Sequence, residues 1–131
     1  MTSPTIPPKT KTFTVKENNY QITFPNNKQY VQIQNMKVML CPTIDVLGSI
    51  GSEGSFAESL VDAEAHFTVL CPSFVKDLAK PFGELSLEEG LEIVQIYAND
   101  IRPWYNEVMN FIFKANKEET KTTQTTSSNA R

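Results

Sequence analysis

The side chains able to do chemistry are few in this sequence, and their spacing limits what they can do. There is one histidine, His66, and two cysteines, Cys41 and Cys71. Nucleophilic catalysis needs a base within hydrogen-bond reach of a hydroxyl or thiol. His66 and Cys71 are five positions apart, whereas side chains that meet on a helix are three or four apart. Zinc asks for four ligands, commonly with a close Cys-x-x-Cys pair, and Cys41, Cys71 and His66 supply neither the pair nor a fourth ligand. Glu88, Glu89 and Glu92 cluster near the start of a predicted helix, where the macrodipole favours negative charge without any bound cation. Residues 48–55, GSIGSEGS, have the glycine content of a phosphate loop. They lack its lysine followed by Ser or Thr, and Rossmann spacing as well, so they read as a flexible connector. The residues therefore point to a protein that is not an enzyme, with no catalytic residue, metal, cofactor or small-molecule substrate.

Charge narrows the partners. The 131 residues carry a net charge of −3. Residues 45–100 hold eleven acids and two bases, −9, and the remainder four acids and ten bases, +6. An acidic middle argues against nucleic acid, whose binding is dominated by phosphate neutralisation. No apolar run approaches the ~20 residues of a membrane span, and the amino terminus lacks the apolar stretch of a secretion signal. Free thiols in a reducing cytosol are the expectation for the two cysteines. Residues 1–11 and 116–131 are too polar or proline-rich to offset ordering entropy and read as disordered tails. A single globular domain is expected over 12–115, small enough to gain from self-association.

The elements that must position these residues follow from periodicity. TFTVK (12–16) and YQITF (20–24) alternate apolar and polar residues around Glu17-Asn18-Asn19, which predicts a β-hairpin. Asn26 and Gln29 form a capping pair for a helix carrying Tyr30, Ile33, Met36 or Lys37, and Leu40. Ser55 and Glu58 make a capping box for a second helix, with an apolar seam at Phe56, Leu60, Ala63, Phe67 and Leu70. LCPT (40–43) and LCPS (70–73) each close one of these helices, because proline disfavours helical geometry in the residue before it. Ser86 and Glu89 open a third, with Leu87, Leu91, Val94, Ala98 and Ile101 as its seam. Pro103 then either kinks that helix or starts a new one, and a kinked, nearly continuous element is the preferred reading. The fold class is thus α+β, mainly α: an amino-terminal hairpin (12–24) packed on a bundle of three to four helices.

The last stretch, IRPWYNEVMNFIF (101–113), has eight large apolar residues in thirteen positions. On a helical wheel they span roughly 200°, twice the ~100° stripe that a helix buries against one core. The excess face is either sandwiched inside the bundle or covered by another chain. The candidate partner-binding residues are Trp104, Tyr105, Val108, Met109, Ile112 and Phe113, with Trp104 and Tyr105 as anchors because aromatic side chains dominate binding hot spots.

Three segments carry a family resemblance: FPNNKQY at the first helix, FTVLCPSFVKDL after the second, and PWYNE near the end. Residues 13–113 resemble the small tail-assembly chaperones of tailed bacteriophages. That resemblance implies a non-enzymatic protein that coats the tape-measure protein and brings it tail-tube subunits. It also implies action in the host bacterial cytoplasm during infection and absence from the mature virion. The alternative is a permanent structural subunit of a virion, a minor head, connector or tail protein, forming a homo-oligomer through the hairpin edge and the last helix.

Overall fold

The computed structural model describes residues 6–114. Two strands, β1 (Thr10–Val15) and β2 (Asn18–Thr23), form an antiparallel hairpin. Helices α1 (Asn27–Leu40), α2 (Ile44–Leu47), α3 (Ser52–Leu70), α4 (Pro72–Lys76) and α5 (Leu87–Ile96) follow. A π-helical turn, Tyr97–Ile101, leads into α6, residues 102–114. The expected α+β, mainly helical architecture with an amino-terminal hairpin packed on helices is the one observed.

The hairpin closes with two residues, Lys16 and Glu17, both at positive φ (49° and 72°). Two successive positive-φ residues give the type I′ turn that matches the strands' right-handed twist. The turn sits one residue earlier than expected, and Asn18 and Asn19 belong to β2, paired with Val15 and Thr14. Lys and Glu tolerate this backbone less well than Asn and Gly. The double variant Lys16→Asn/Glu17→Gly should therefore stabilise the fold by about 0.5–1 kcal/mol, read as a higher denaturant midpoint at unchanged m-value.

Phe13 faces Tyr20 across the hairpin at 5.5 Å between ring centroids. Both pack on Phe74 of α4, and Phe13 also meets Phe67 of α3 at 5.3 Å. This aromatic cluster is what makes a two-stranded hairpin stable here, since such a hairpin is marginal alone. Residues 6–11, expected in a disordered tail, join the fold instead. Pro7 is buried, Thr10 and Lys11 lie in β1, and the Lys9 carbonyl accepts from the Phe24 amide at 2.7 Å. Residues 1–5 and 116–131, the rest of the expected tails, lie outside the described residues, as does Ala115 at the end of the expected domain.

Helix α3 is the central element, touching α1, α2, α4, α5 and β2. It starts at Ser52, a turn earlier than the Ser55–Glu58 capping box suggested, with Gly51 at φ 104° before it. The glycine-rich connector is accordingly structured: Gly48–Ile50 is a 3-10 turn continuing α2, and only the positive φ of Gly51 interrupts the helical path. Short-range helical geometry here is imposed by packing on α3, which single-residue propensity cannot register.

The capping pairs at Asn26–Gln29 and Ser86–Glu89 are both made in reciprocal form. The two Leu-Cys-Pro stops close α1 and α3 with the same bonds. The Cys41 amide donates to the Lys37 carbonyl at 3.0 Å, and the Cys71 amide to that of Phe67 at 2.9 Å. Both thiols are free, Cys41 partly exposed and Cys71 buried.

Pro103 does not end the helix. The π turn lets the Arg102 amide donate to the Tyr97 carbonyl. An i→i+5 turn widens the ladder where proline has no N–H and would crowd the preceding turn. Of the predicted seam Leu87, Leu91, Val94, Ala98 and Ile101, only Val94 and Ile101 are buried, and the inward face of α5 is Gly90, Ile93 and Val94, continued by Tyr97. Leu87, Leu91 and Ala98 are exposed. Gly90 explains the rotation: a Cβ there would lie 2.9 Å from the Leu60 side chain, so its bare backbone is where α5 comes closest to α3.

Candidate functional site

The six candidate residues on α6 divide in two. Trp104, Tyr105 and Val108 are buried in the core and are not a free surface, which corrects the choice of Trp104 and Tyr105 as anchors. The Trp104 indole N–H donates to the Pro8 carbonyl at 2.6 Å, and its ring meets Phe24 edge-on at 6.1 Å. Tyr105 stacks obliquely on Phe24 at 5.0 Å and meets His66 edge-on at 5.1 Å. Met109 is half-buried against the same core, and only Ile112 and Phe113 are exposed. The broad apolar arc of α6 is thus explained mostly by a sandwich, with the amino-terminal segment and Phe24 covering the side away from α3.

The exposed apolar surface lies elsewhere, on α1. Ile33 is its one fully buried residue, while Val31, Val38 and Met39 are 64%, 53% and 74% exposed. Val31 and Val38 are seven residues apart and share a face pointing away from Ile33. Val46 of α2 and Ile50 in the turn after it are exposed as well. Beside it, α1 and α3 flank an open groove of about 700 Å³ lined by Met36, Met39, Leu40, Val69, Thr68 and Glu64, with Gln32 and Asn35 completing it. Sequence reasoning missed this surface because α1 has apolar residues on both sides, so no single face stands out.

A second cluster gathers ionisable groups where α1, α3, the π turn and α6 meet. Asp62 of α3 accepts from the Tyr97 hydroxyl at 2.7 Å and pairs with Lys37 of α1 at 3.0 Å. Arg102 lies 3.7 Å from the same carboxylate and donates to the Tyr97 oxygen at 3.2 Å. His66, one helical turn after Asp62, has Nδ1 at 2.8 Å from the Asp62 carbonyl and 3.1 Å from the Tyr97 hydroxyl. Because Tyr97 directs its proton to Asp62, the neutral imidazole carries its own on Nδ1. Its Nε2 has no hydrogen-bond partner among the described residues.

Burial pushes the His66 pKa below its ordinary value, against the pull of Asp62. Burial raises the Tyr97 hydroxyl, and the Asp62 charge raises it further. Burial alone would raise Asp62 too, but His66, the Tyr97 hydrogen bond and Lys37 together leave it below the usual carboxylate range. Burial pushes Tyr105 up to about 12. The cluster ties α1, α3, the π turn and α6 together. His66 is only 1% exposed at its centre, while the Lys37 and Arg102 side chains at its edge are 23% and 42% exposed. The Asp62–His66 spacing of four was legible as a helical pair; the convergence of Lys37, Tyr97 and Arg102 on it was not.

A smaller cavity of about 360 Å³ lies between the hairpin and α5, walled by Tyr20, Phe74, Ile93 and Ile96 with Asp77 and Glu92 at its edge. Its Asp77 carboxylate accepts from the Tyr20 hydroxyl at 2.8 Å, and neither histidine nor cysteine lines it. Among the described residues no group of three His, Cys, Asp or Glu side chains comes together to hold a metal ion, and no helix is long and apolar enough to cross a membrane. Searches with this chain match no family model, no curated protein and no solved structure.

Proposed function

We propose that this protein is a non-enzymatic assembly chaperone of the phage-tail type. In this reading it holds a long helical tape-measure protein in the host cytoplasm and brings it to tail-tube subunits. The observation that supports this is the exposed apolar face of α1, with Val31, Val38 and Met39 turned outward beside the open α1–α3 groove. Large exposed apolar side chains on one element are candidates for contact with other chains, and amphipathic helices lay their apolar face into apolar grooves. Ile112 and Phe113 at the end of α6 remain available to the same client, while Trp104, Tyr105 and Val108 act through the core.

The test is capture of the tagged protein from cells late in infection, with bound proteins quantified by mass spectrometry. A long, helix-rich tape-measure-like protein is expected in excess over tube and head proteins. The variant Val38→Asp/Met39→Glu should reduce its recovery at least ~10-fold, while its thermal transition stays within a few degrees, since exposed substitutions typically change stability by about 0.5 kcal/mol or less. Recovery only with whole particles at fixed stoichiometry would make the chain a permanent virion subunit instead.

A further inference from the structure

We infer that the groove between α1 and α3 docks an amphipathic helix of another protein that carries a lysine or arginine within its apolar face, with Glu64 as the counter-ion. This rests on the chaperone reading and names what the client must present. The groove walls are apolar where it matters for packing, with Met36, Met39 and Leu40 from α1 and Val69 from α3. Methionines adapt their shape to the helix laid against them.

Glu64 is the one charged residue in that lining, beside the polar Gln32, Asn35 and Thr68. It is half-buried, and among the described residues it makes no ion pair. Asp62, two residues earlier, has Lys37, Arg102 and the Tyr97 hydroxyl around it. Burial alone raises the Glu64 carboxyl above its ordinary range, with no cation to offset it. An apolar helix laid over the groove would strip the remaining water from this carboxylate. Such a charge is tolerated when the occupant supplies the opposite one. A cation four or so residues from the helix's apolar anchors lies within reach of Glu64 while they fill the space between Met39 and Val69. The requirement is also a filter, because a client helix with an acid at that position meets like charge in a desolvated setting.

The experiment uses the full chain and labelled amphipathic peptides about 18 residues long, five helical turns. They differ at one central apolar-face position, which is Lys, norleucine or Glu. By fluorescence anisotropy, the Lys peptide should bind at least ~10-fold tighter than norleucine, and the Glu peptide weakest. Glu64→Gln should bring the three affinities within about twofold, and Glu64→Lys should reverse the order of Lys and Glu. Met39→Glu should abolish binding of all three at unchanged thermal midpoint. Should Glu64→Lys fail to fold, Glu64→Gln alone decides.

Absence of binding, or a rank order untouched by Glu64→Gln, overturns the inference. So does light scattering that shows a dimer of the free chain which Glu64→Lys dissociates, because the groove would then belong to a second copy. Glu64-dependent peptide binding with no tape-measure-like protein captured from infected cells defeats the chaperone reading and leaves the groove's chemistry standing. Capture that survives Glu64→Lys defeats only the groove.

Discussion

Trp104→Ala is expected to lower the unfolding free energy by about 3–5 kcal/mol, the usual cost of removing a large buried aromatic side chain. Trp104 is 5% exposed, packs edge-on against Phe24, and donates its indole proton to the Pro8 carbonyl at 2.6 Å. Alanine leaves a cavity between α6 and the segment leading out of the hairpin, and it leaves that carbonyl without its donor. Domains of this size have roughly 5–15 kcal/mol in total, so the thermal midpoint should fall by on the order of 20 °C. Chemical denaturation followed by circular dichroism measures both. Trp104→Phe keeps most of the packing and loses only the indole hydrogen bond, so it should cost about 1–2 kcal/mol. If Trp104→Ala instead unfolded like the parent while losing a bound client, Trp104 would be a surface anchor and not a core residue.

The second large effect concerns Asp62. Asp62→Ala removes the carboxylate that Lys37, Tyr97 and Arg102 share. Breaking a buried ion pair from one side typically costs about 3–5 kcal/mol because it strands the partner. Here Lys37 and Arg102 are partly solvated, with side chains 23% and 42% exposed, so water relieves part of that loss. The expected cost is accordingly about 2–3 kcal/mol. Asp62→Asn retains a hydrogen-bond acceptor for Tyr97 and should fall between the parent and alanine.

The same cluster sets the pH dependence. The His66 pKa is lowered from 6.5 in the folded chain. The unfolded chain therefore takes up a proton first as pH falls, and stability is lost below about 6.5 towards the folded value. Asp62 is lowered from 3.8, so its contribution is present above that pH and lost as the pH drops through the folded value. Tyr97 is raised from 10.0, so stability also declines above pH 10 as the unfolded tyrosine ionises. Urea midpoints across this range should show a plateau from about 6.5 to 10, with a fall on each side. His66→Gln should remove the first acid step and leave the fall near pH 4. An unchanged profile in that variant would mean that His66 is not the titrating group.

Much of the architecture was carried by local sequence because the forces concerned are local. Alternation of Phe13, Val15, Tyr20 and Ile22 marks two half-buried strands, and the Asn26–Gln29 and Ser86–Glu89 boxes act within four residues. Cys41-Pro42 and Cys71-Pro72 stop their helices through the steric demand of proline on its predecessor. Where such signals compete, long-range packing prevailed. In the glycine-rich stretch, Gly48–Ile50 became a 3-10 turn against α3 and residues 52–55 its first turn, and α5 turned its Gly90–Ile93–Val94 face inward because Leu60 of α3 leaves room only for a glycine.

The candidate surface divides along the same line. The breadth of the apolar arc from Ile101 to Phe113 was a property of the sequence, but whether protein or solvent covers it depends on residues far away in the chain. Pro8 and Phe24 lie 96 and 80 positions before Trp104, and they decided for the interior. The convergence of Lys37, Asp62, His66, Tyr97 and Arg102 likewise requires α1, α3 and the π turn to be packed before any of those charges meet. Sequence alone determined the hairpin, the capping pairs that open α1 and α5, and the Leu-Cys-Pro stops that close α1 and α3. Tertiary structure alone decided which apolar faces are spent on the core and which remain on α1. The reason is physical: periodicity records that a face is apolar, and only three-dimensional packing settles what lies against it.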